Sequence, residues 1–213
     1  MLWLFLCAVV YLERQVINLK FYQEITLIPA ITDGVSEDYI WSELFRQIHL
    51  ALASQMNKKN KKKSHIGVSF PQYSAGKYAR MGNKLRLFAN TKEELVELNL
   101  YKWLRSFGDY VHIRNISSVP QTITEFAIYK RYHHKGSVVS KAKRYAKRHN
   151  ISVEQAESLF PVSNRKIYPF ISIFSETDKM DYPLYVKRSA CDTLIQKGFN
   201  SYGLDGQSSV PEF

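Results

Sequence analysis

The stretch that organises this chain is VVSKAKRYAKRHN, residues 138–150. On a helix turning about 100° per residue, its lysines and arginines fall on one side and its valines, alanines and tyrosine on the other. One face can therefore pack on protein while the other presents only positive charge. A polyanion with closely spaced phosphates would bind such a face. A basic face that is merely solvated is the alternative interpretation.

The whole chain shares this charge. Its 213 residues carry a formal net charge of +11, and 45% of them are hydrophobic, so the charge is not a sign of disorder. Such a balance favours nucleic acid or an anionic surface as the partner. The 14 tyrosines suit RNA, whose bases stack on aromatic rings, although tyrosine is also a common core residue. Cys7 and Cys191 are the only cysteines, which indicates a reducing compartment such as the cytoplasm.

The chain starts with an apolar run, MLWLFLCAVVYL at residues 1–12. The run is too short to span a bilayer, and no cation precedes it as in a signal peptide. We therefore expect residues 1–18 to be an N-terminal extension packed on the fold, or the result of a start codon assigned too early. A basic protein anchored at a membrane surface by this run is the weaker alternative.

Strand and helix patterns then alternate. The predicted elements are a strand at 19–29, a helix at 36–54, strands at 66–70 and 84–89, a helix from 91 to about 104, and a strand at 110–116. Ser36 is the expected N-cap of the first helix, and TKEE at residues 91–94 forms a capping box for the second. This order is typical of a ferredoxin-like or RRM-like domain, predicted here at residues 19–120.

The pattern changes after Pro120. A basic extended or looped segment at 126–134 precedes the basic helix. A short helix follows, opened by a second capping box at Ser152 and ended by Pro161, and strands are expected at 168–174 and 182–188. The predicted fold class is therefore α+β, with residues 121–213 forming a second domain that carries the basic helix and short strands.

The chemistry that the sequence offers is that of histidine and hydroxyl groups. The six histidines are scattered without zinc spacing, and no phosphate-binding glycine loop is present. Cleavage of RNA needs neither, because the 2′-OH is a built-in nucleophile for a positioned base. His49 falls at the edge of the apolar stripe of its helix, beside Phe45 and Leu52, where one ring side can face a cleft. A purely structural histidine is the alternative.

Three segments together resemble a known family, the CRISPR-associated endoribonuclease of the type I-F (Csy) system, which cuts precursor CRISPR RNA at the repeat hairpin. They are IGVSFP at 66–71 with GNKLR at 82–86, the helix end KRH at 147–149 with SVEQA at 152–156, and the tail GFNSYGL at 198–204 with Val210, Pro211 and Phe213. The resemblance covers residues 19–213 in the same order and leaves residues 1–18 without a counterpart.

The resemblance implies three catalytic residues. A family histidine on the first helix, the catalytic base or proton-transfer group, matches His49. A family serine that constrains the nucleophilic 2′-OH follows a Pro-Phe strand and matches Ser175, and the tyrosine of the tail motif matches Tyr202.

The resemblance also implies an RNA-binding set. The helix would enter the hairpin groove with cations, here partly lysines, which keep the charge but lose the bidentate fork of arginine. His133 stands where the family has a base-reading glutamine, so the repeat sequence recognised is open. The expected residues are Arg131, reading a guanine, His133, the helix residues Lys143, Arg144, Lys147, Arg148 and His149, Thr177 near the phosphate, and Tyr182, stacking on the terminal base pair.

The activity implied is metal-independent attack of a 2′-OH on the adjacent phosphodiester. It would leave a 2′,3′-cyclic phosphate, require no cofactor, and keep the hairpin product bound in the Csy surveillance complex. A noncatalytic RRM-like protein that only holds an RNA hairpin is the alternative.

Overall fold

A computed structural model describes residues 19–28, 34–133, 138–160, 167–175 and 179–213. Residues 1–18 and Thr177, both subjects of predictions above, lie outside these ranges. The elements in chain order are β1 (Phe21–Leu27), α1 (Glu37–Lys58), β2 (Gly67–Ser69), β3 (Lys84–Ala89), α2 (Lys92–Leu98), α3 (Leu100–Trp103), β4 (Val111–Ile113), β5 (Ser117–Ser118), β6 (Phe126–Tyr132), α4 (Val138–His149), α5 (Val153–Ser158), β7 (Phe170–Ser175), β8 (Met180–Cys191) and β9 (Val210–Pro211). In this part of the chain, no helix has the length and hydrophobicity to cross a membrane.

The first sheet has the strand order β2-β3-β1-β4, with every pair antiparallel, and β5 also pairs with β1. This is the ferredoxin-like order, because two strand-helix-strand units interlock with β1 and β3 at the centre. The predicted arrangement is confirmed. Strand β3 has the bounds that its alternating pattern predicts, and β1 lies within the predicted range.

The apolar stripe of helix α1 belongs to the buried core. Ser36 caps its first turn by accepting a hydrogen bond from the Tyr39 amide, as predicted. Trp41 donates its indole N–H to the Gly82 carbonyl over 2.9 Å, which satisfies the one polar atom of a buried ring. The buried side chains on α1 are Ile40, Trp41, Leu44, Phe45, Ile48, Ala51 and Leu52.

The helix after Thr91 differs from the prediction. Its capping box forms, but the helix breaks at Asn99, whose φ is +51°. Asparagine is one of the few residues that tolerates this left-handed conformation. The Asn99 side chain then accepts the Lys102 amide and caps α3, so one predicted helix becomes two short ones. Hydrophobic periodicity continues across the break and therefore did not reveal it.

The outer face of the first sheet is covered. Glu24, only 1% exposed, bonds Arg86 at 2.8 Å and Lys84 at 3.2 Å. Arg86 also donates to the Phe213 carbonyl and lies 4.1 Å from the centre of the Phe213 ring. The Phe213 ring meets that of Tyr22 edge to face at 5.1 Å. An RRM stacks RNA bases on this kind of face, but here an ion cluster and the C-terminal ring occupy it.

The second sheet has the order β7-β8-β6-β9, again antiparallel. Residues 126–134, predicted as extended or looped, supply the regular strand β6, and β8 is longer than its pattern indicated. Buried side chains of both sheets belong to one continuous cluster. Phe70 and Tyr129 join the halves with ring centres 5.5 Å apart. The division near Pro120 stays a prediction.

Helices α4 and α5 have a small core of their own. Ala142 and Ala146 of α4 pack against Ala156 of α5, with Tyr145 and Phe160 at the margin. The basic helix has nearly the predicted bounds, ending at His149. Its apolar side is narrower than predicted, because Val139 is 46% exposed and His149 is also exposed. Small alanine side chains let the two helices approach closely and leave the wider residues at the edge.

Candidate functional site

The C-terminal loop at residues 198–204 builds one wall of the site. Ser64 and Phe199 exchange two backbone hydrogen bonds of 2.8 Å, and the Val68 amide donates to the Gly203 carbonyl over 3.0 Å. Gly203 has φ +70°, and a Cβ there would lie 2.5 Å from the Val68 side chain. Only glycine fits both the conformation and the space. The loop is therefore fixed against β2.

Asn200 gives this loop its shape. Its side-chain oxygen accepts the Tyr202 amide at 2.8 Å and the Leu204 amide at 3.2 Å, an Asx-type turn. The Gly203 amide closes the turn on the Asn200 carbonyl at 2.9 Å. Two groups are thereby presented to α1: the Ser201 carbonyl and the Tyr202 ring.

His49 of α1 contacts both the Ser201 carbonyl and the Tyr202 ring. Its Nδ1 lies 2.9 Å from the Ser201 carbonyl oxygen. Because a carbonyl only accepts, Nδ1 carries the hydrogen, and in the neutral ring Nε2 is then the basic nitrogen. The His49 ring stacks on the Tyr202 ring with centres 4.0 Å apart and planes 10° from parallel. Tautomer and ring orientation are thus both set by the C-terminal loop.

The Tyr202 side chain has aromatic contacts with two rings and a hydrogen bond at its hydroxyl. Its ring also stacks near Phe45, at 6.1 Å and 14°, and its hydroxyl lies 2.7 Å from the Tyr182 hydroxyl. Burial raises the pKa of Tyr202 well above its usual value, and the hydrogen bond with Tyr182 raises it further. Tyr202 therefore remains a neutral phenol at physiological pH and supports His49 without supplying charge.

Ser175 and Tyr182 share the sheet face that packs on α1. Tyr182 of β8 pairs with Ile173 of β7, and Ser175 lies two residues beyond Ile173. Side chains two apart on a strand point to the same face, so Ser175 is a diagonal neighbour of Tyr182, at roughly 7–8 Å between Cα atoms. The backbone carbonyl of Ser175 accepts the Lys179 amide at 2.8 Å.

Arg131 completes this cluster from β6. Its guanidinium carbon lies 5.2 Å from the centre of the Tyr182 ring. Of the predicted site residues, the structure therefore brings His49, Tyr202, Tyr182 and Arg131 into one chain of contacts, with Ser175 on the adjoining strand. His133 is exposed just beyond β6.

The basic helix contributes a different surface. The residues Lys143, Arg144, Lys147 and Arg148 are all exposed, and α4 contains no acidic residue. Arg144 and Arg148 donate from Nε to carbonyls one turn earlier in their own helix, at 3.1 and 3.3 Å. Their terminal nitrogens thus keep donors for an outside acceptor. The predicted cationic face is therefore present on α4.

Two groups of the candidate site were missed from the sequence. The Ser201 carbonyl that fixes the histidine tautomer is a backbone group, 152 residues from His49, and no side-chain pattern marks it. Asn200, which shapes the loop, belongs to the tail motif, but its role in the turn was not predicted. An asparagine three residues before a glycine is typical of a β-turn, and this signal could have identified it. Among the described residues, no group of three or more His, Cys, Asp or Glu side chains could hold a metal ion.

Comparison with known proteins gives one family. The family model described as CRISPR-associated protein (Cas_Csy4) matches residues 22–213. No curated protein matches the chain. Among solved structures, one titled "Characterization of a Cas6-related gene from Pyrococcus furiosus" matches with 12% identity over 90% of this chain and 98% of that one, at a TM-score of 0.37. That likeness is weak, and we draw neither fold nor function from it.

Proposed function

Because the chain belongs to the Cas_Csy4 family of CRISPR-associated endoribonucleases, we propose that it cuts precursor CRISPR RNA at the repeat hairpin, without a metal ion and with His49 as the base. The observation that carries this proposal is the paired support of His49. A carbonyl fixes its Nδ1 hydrogen and an aromatic ring fixes its plane. The His49 ring is also partly exposed, as a base that must reach its substrate needs to be.

The proposed reaction starts from the 2′-OH beside the scissile phosphate. His49 Nε2 takes the hydroxyl proton while the 2′ oxygen forms a bond to phosphorus. The bond from phosphorus to the 5′ oxygen breaks, and that oxygen takes up a proton. The products are a 2′,3′-cyclic phosphate and a 5′-OH, and His49 returns its proton to the leaving oxygen or to solvent.

Ser175 would hold the nucleophile in line. It lies at the end of β7, on the sheet face that packs against α1, where a hydroxyl can bond the ribose next to the cut. Positioning of this kind contributes a large part of the rate, since a small misplacement forfeits the advantage of an intramolecular attack. Tyr202 would act through His49, and Thr177 remains a proposed phosphate contact outside the described residues.

Recognition of the hairpin would use the other residues. The cations of α4 would contact phosphates of the stem, and Arg131 would read a guanine bidentately, with His133 beside it. Tyr182 would stack on the terminal base pair. Since its hydroxyl bonds to Tyr202, Tyr182 would also connect the end of the stem to the ring that supports His49. His149, exposed at the end of α4, would add to the same surface.

After cleavage the enzyme would keep the hairpin and join the Csy surveillance complex in the cytoplasm. The stem contacts of α4 would be made away from the scissile bond, so breaking that bond would leave them in place. This part of the proposal rests on the family and on the packing of α4 on α5, outside the contacts that His49 makes with residues 201 and 202.

The test separates binding from cleavage. His49→Ala should lower single-turnover cleavage of a repeat hairpin by about 10²- to 10⁴-fold, the usual contribution of acid–base catalysis, with little change in hairpin affinity. A 2′-deoxy nucleotide at the cut site should bind to the wild-type enzyme and remain uncut. His112→Ala, an exposed histidine on β4, is the matched control and should cut normally. Normal cutting by His49→Ala, or cutting of the deoxy substrate, would refute the mechanism, whereas a wild type that binds the hairpin without cutting it would be a noncatalytic hairpin-binding protein.

A further inference from the structure

The face of the second sheet opposite to that of Tyr182 carries a row of aromatic rings. Tyr185 of β8 pairs with Tyr132 of β6 on one side and with Phe170 of β7 on the other. Directly opposed residues project to the same face, so the three rings form one row across three strands. The rings of Phe170 and Tyr185 are 5.3 Å apart, and Tyr132 lies 4.6 Å from the ring of Tyr168. We call this surface the ring face.

A pair of lysines stands next to this row. Lys130 and Lys187 occupy directly opposed positions of β6 and β8, on the same side of the sheet as the rings. Like charges in opposed positions destabilise a sheet, and an anion between them would remove that cost. The Lys187 amine also lies 5.9 Å from the centre of the Tyr168 ring. Cations and aromatic faces are thus interleaved.

The ring face is exposed along β7, whereas Tyr132 and Tyr185 are partly buried and Tyr168 is buried. Phe170 is 54% exposed. Phe174, four residues further along β7 on the same side of the sheet, is 39% exposed. A cavity of about 590 Å³ adjoins the row and is lined in part by Phe170, Tyr185 and Arg80. Exposed rings of this size contribute little to folding and mark a binding surface when they are clustered.

Acidic residues lie only at the margins of the described part of this surface. Asp181 pairs with Phe174 at one end, and Glu37 and Asp38 line the far side of the cavity. A nucleic acid strand would therefore place its phosphates along Lys130 and Lys187 and its bases on the rings.

The ring face also lies within reach of the candidate site. Tyr182 and Tyr185 are three residues apart on β8 and point to opposite faces, a separation of about 10 Å along the strand. β7 is an edge strand, so a chain leaving Ser175 can pass around that edge to Phe174 and on to the row.

We propose that the ring face binds single-stranded RNA, namely the unpaired nucleotides next to the hairpin, a site that rests on the proposed hairpin substrate. Proteins hold unpaired strands by stacking bases on aromatic rings beside cations that follow the backbone, which is the arrangement here. An apolar protein partner would not use the opposed lysines.

The experiment compares three RNAs that carry a 2′-deoxy nucleotide at the cut site: a bare hairpin, and the same hairpin with eight unpaired nucleotides added before or after it. Affinities are measured by fluorescence anisotropy for the wild type, for Phe170→Ala, and for the double variant Lys130→Gln, Lys187→Gln. Tyr101→Ala and the double variant Lys92→Gln, Lys102→Gln are matched controls, exposed residues on α2 and α3.

In the wild type, at least one flank should tighten binding by about fivefold or more. This is about 1 kcal/mol at roughly 1.4 kcal/mol per tenfold change, which is within what one stacked base contributes. Both ring-face variants should lose this increment and bind the bare hairpin as the wild type does, while the controls keep it. Flanks that add nothing in the wild type, or variants that keep the increment, would overturn the proposal.

Two further results are informative. Variants that weaken the bare hairpin as much as the flanked one would overturn the proposal too, because the face would then serve the stem or the fold. Cutting of an all-ribose bare hairpin is measured in parallel. If the wild type does not cut it, the proposed function fails, whereas the flank increment on the uncleavable RNA still decides the ring face separately.

Discussion

The contacts that orient His49, the proposed base, come largely from outside its own neighbourhood in the sequence. The pattern of α1 placed it at the edge of a buried stripe, and the structure has it there, partly exposed. Residues 201 and 202 fix the tautomer and the plane of the imidazole through one hydrogen bond and one stacking contact. Local periodicity carries no information about contacts made 152 residues away. Only the resemblance pointed to the tail.

The ring and the hydroxyl of Tyr202 should make separable contributions. Tyr202→Phe keeps the stack on His49 and loses one hydrogen bond to Tyr182, so single-turnover cleavage should fall by no more than about tenfold. Tyr202→Ala removes the support of the imidazole, and its rate should approach that of His49→Ala.

Tyr101→Phe controls for the loss of a tyrosine hydroxyl elsewhere, since its hydroxyl bonds the Ile113 carbonyl on the other side of the fold. Thermal unfolding of each variant confirms that the fold persists. Equal losses for Tyr202→Phe and Tyr202→Ala would show that the hydroxyl, and not the ring, is the functional group.

At the scale of elements, local signals predicted most of the fold. Both capping boxes form, and α4 ends one residue before its predicted end. These features are decided within one or two helical turns, which is why they can be read from the sequence. The break at Asn99 and the packing of α4 on α5 were not predictable, because periodicity shows that a face is apolar but not which partner covers it.

The basic helix should supply salt-dependent affinity. Replacing Lys143, Arg144, Lys147 and Arg148 by Gln should weaken hairpin binding and flatten its dependence on salt. Each phosphate that the protein no longer neutralises lowers the slope of log affinity against log salt by roughly 0.7 to 0.9. The alanines that pack α4 on α5 are untouched, so the helix should persist in circular dichroism.

The double variant Lys92→Gln, Lys102→Gln removes two charges outside the proposed RNA surface and should leave the slope nearly unchanged. If the α4 variant keeps the wild-type slope, its cationic face is only solvated.

The stability of the whole molecule should depend on a buried carboxylate. Burial raises the pKa of Glu24, but hydrogen bonds from Arg86 and Lys84 outweigh it and hold the pKa below its usual value of 4.5. A carboxyl whose folded pKa is lowered stabilises the fold above its unfolded pKa, and this contribution is lost as the pH falls through the folded value.

Glu24→Gln should therefore lower the free energy of unfolding at neutral pH by about 2 kcal/mol, the scale of a hydrogen bond to a charged group. Denaturant unfolding from pH 7 to pH 3 measures this, with Glu93→Gln, an exposed carboxyl on α2, as control. The wild type and Glu24→Gln should converge as the pH falls below about 4.5. A gap that stays constant with pH would mean that shape, and not charge, is what the variant loses.

The two sheets share one buried cluster, and the candidate site lies where the C-terminal loop and the second sheet meet α1. No segment of the sequence contains this site, since its residues come from α1, β6, β7, β8 and the loop at 198–204. The predicted order of strands and helices does not specify how these elements contact one another. Its geometry depends on long-range packing, which residue patterns do not encode.

The end groups of the cleaved RNA test the central claim most directly. A repeat hairpin is incubated with the wild-type protein in the presence of EDTA, and the masses of both fragments are measured by mass spectrometry. Attack by the 2′-OH with His49 as base predicts a 2′,3′-cyclic phosphate on the upstream fragment and a 5′-OH on the downstream one. A 3′-OH with a 5′-phosphate, or activity lost in EDTA and restored by a divalent ion, would contradict the account.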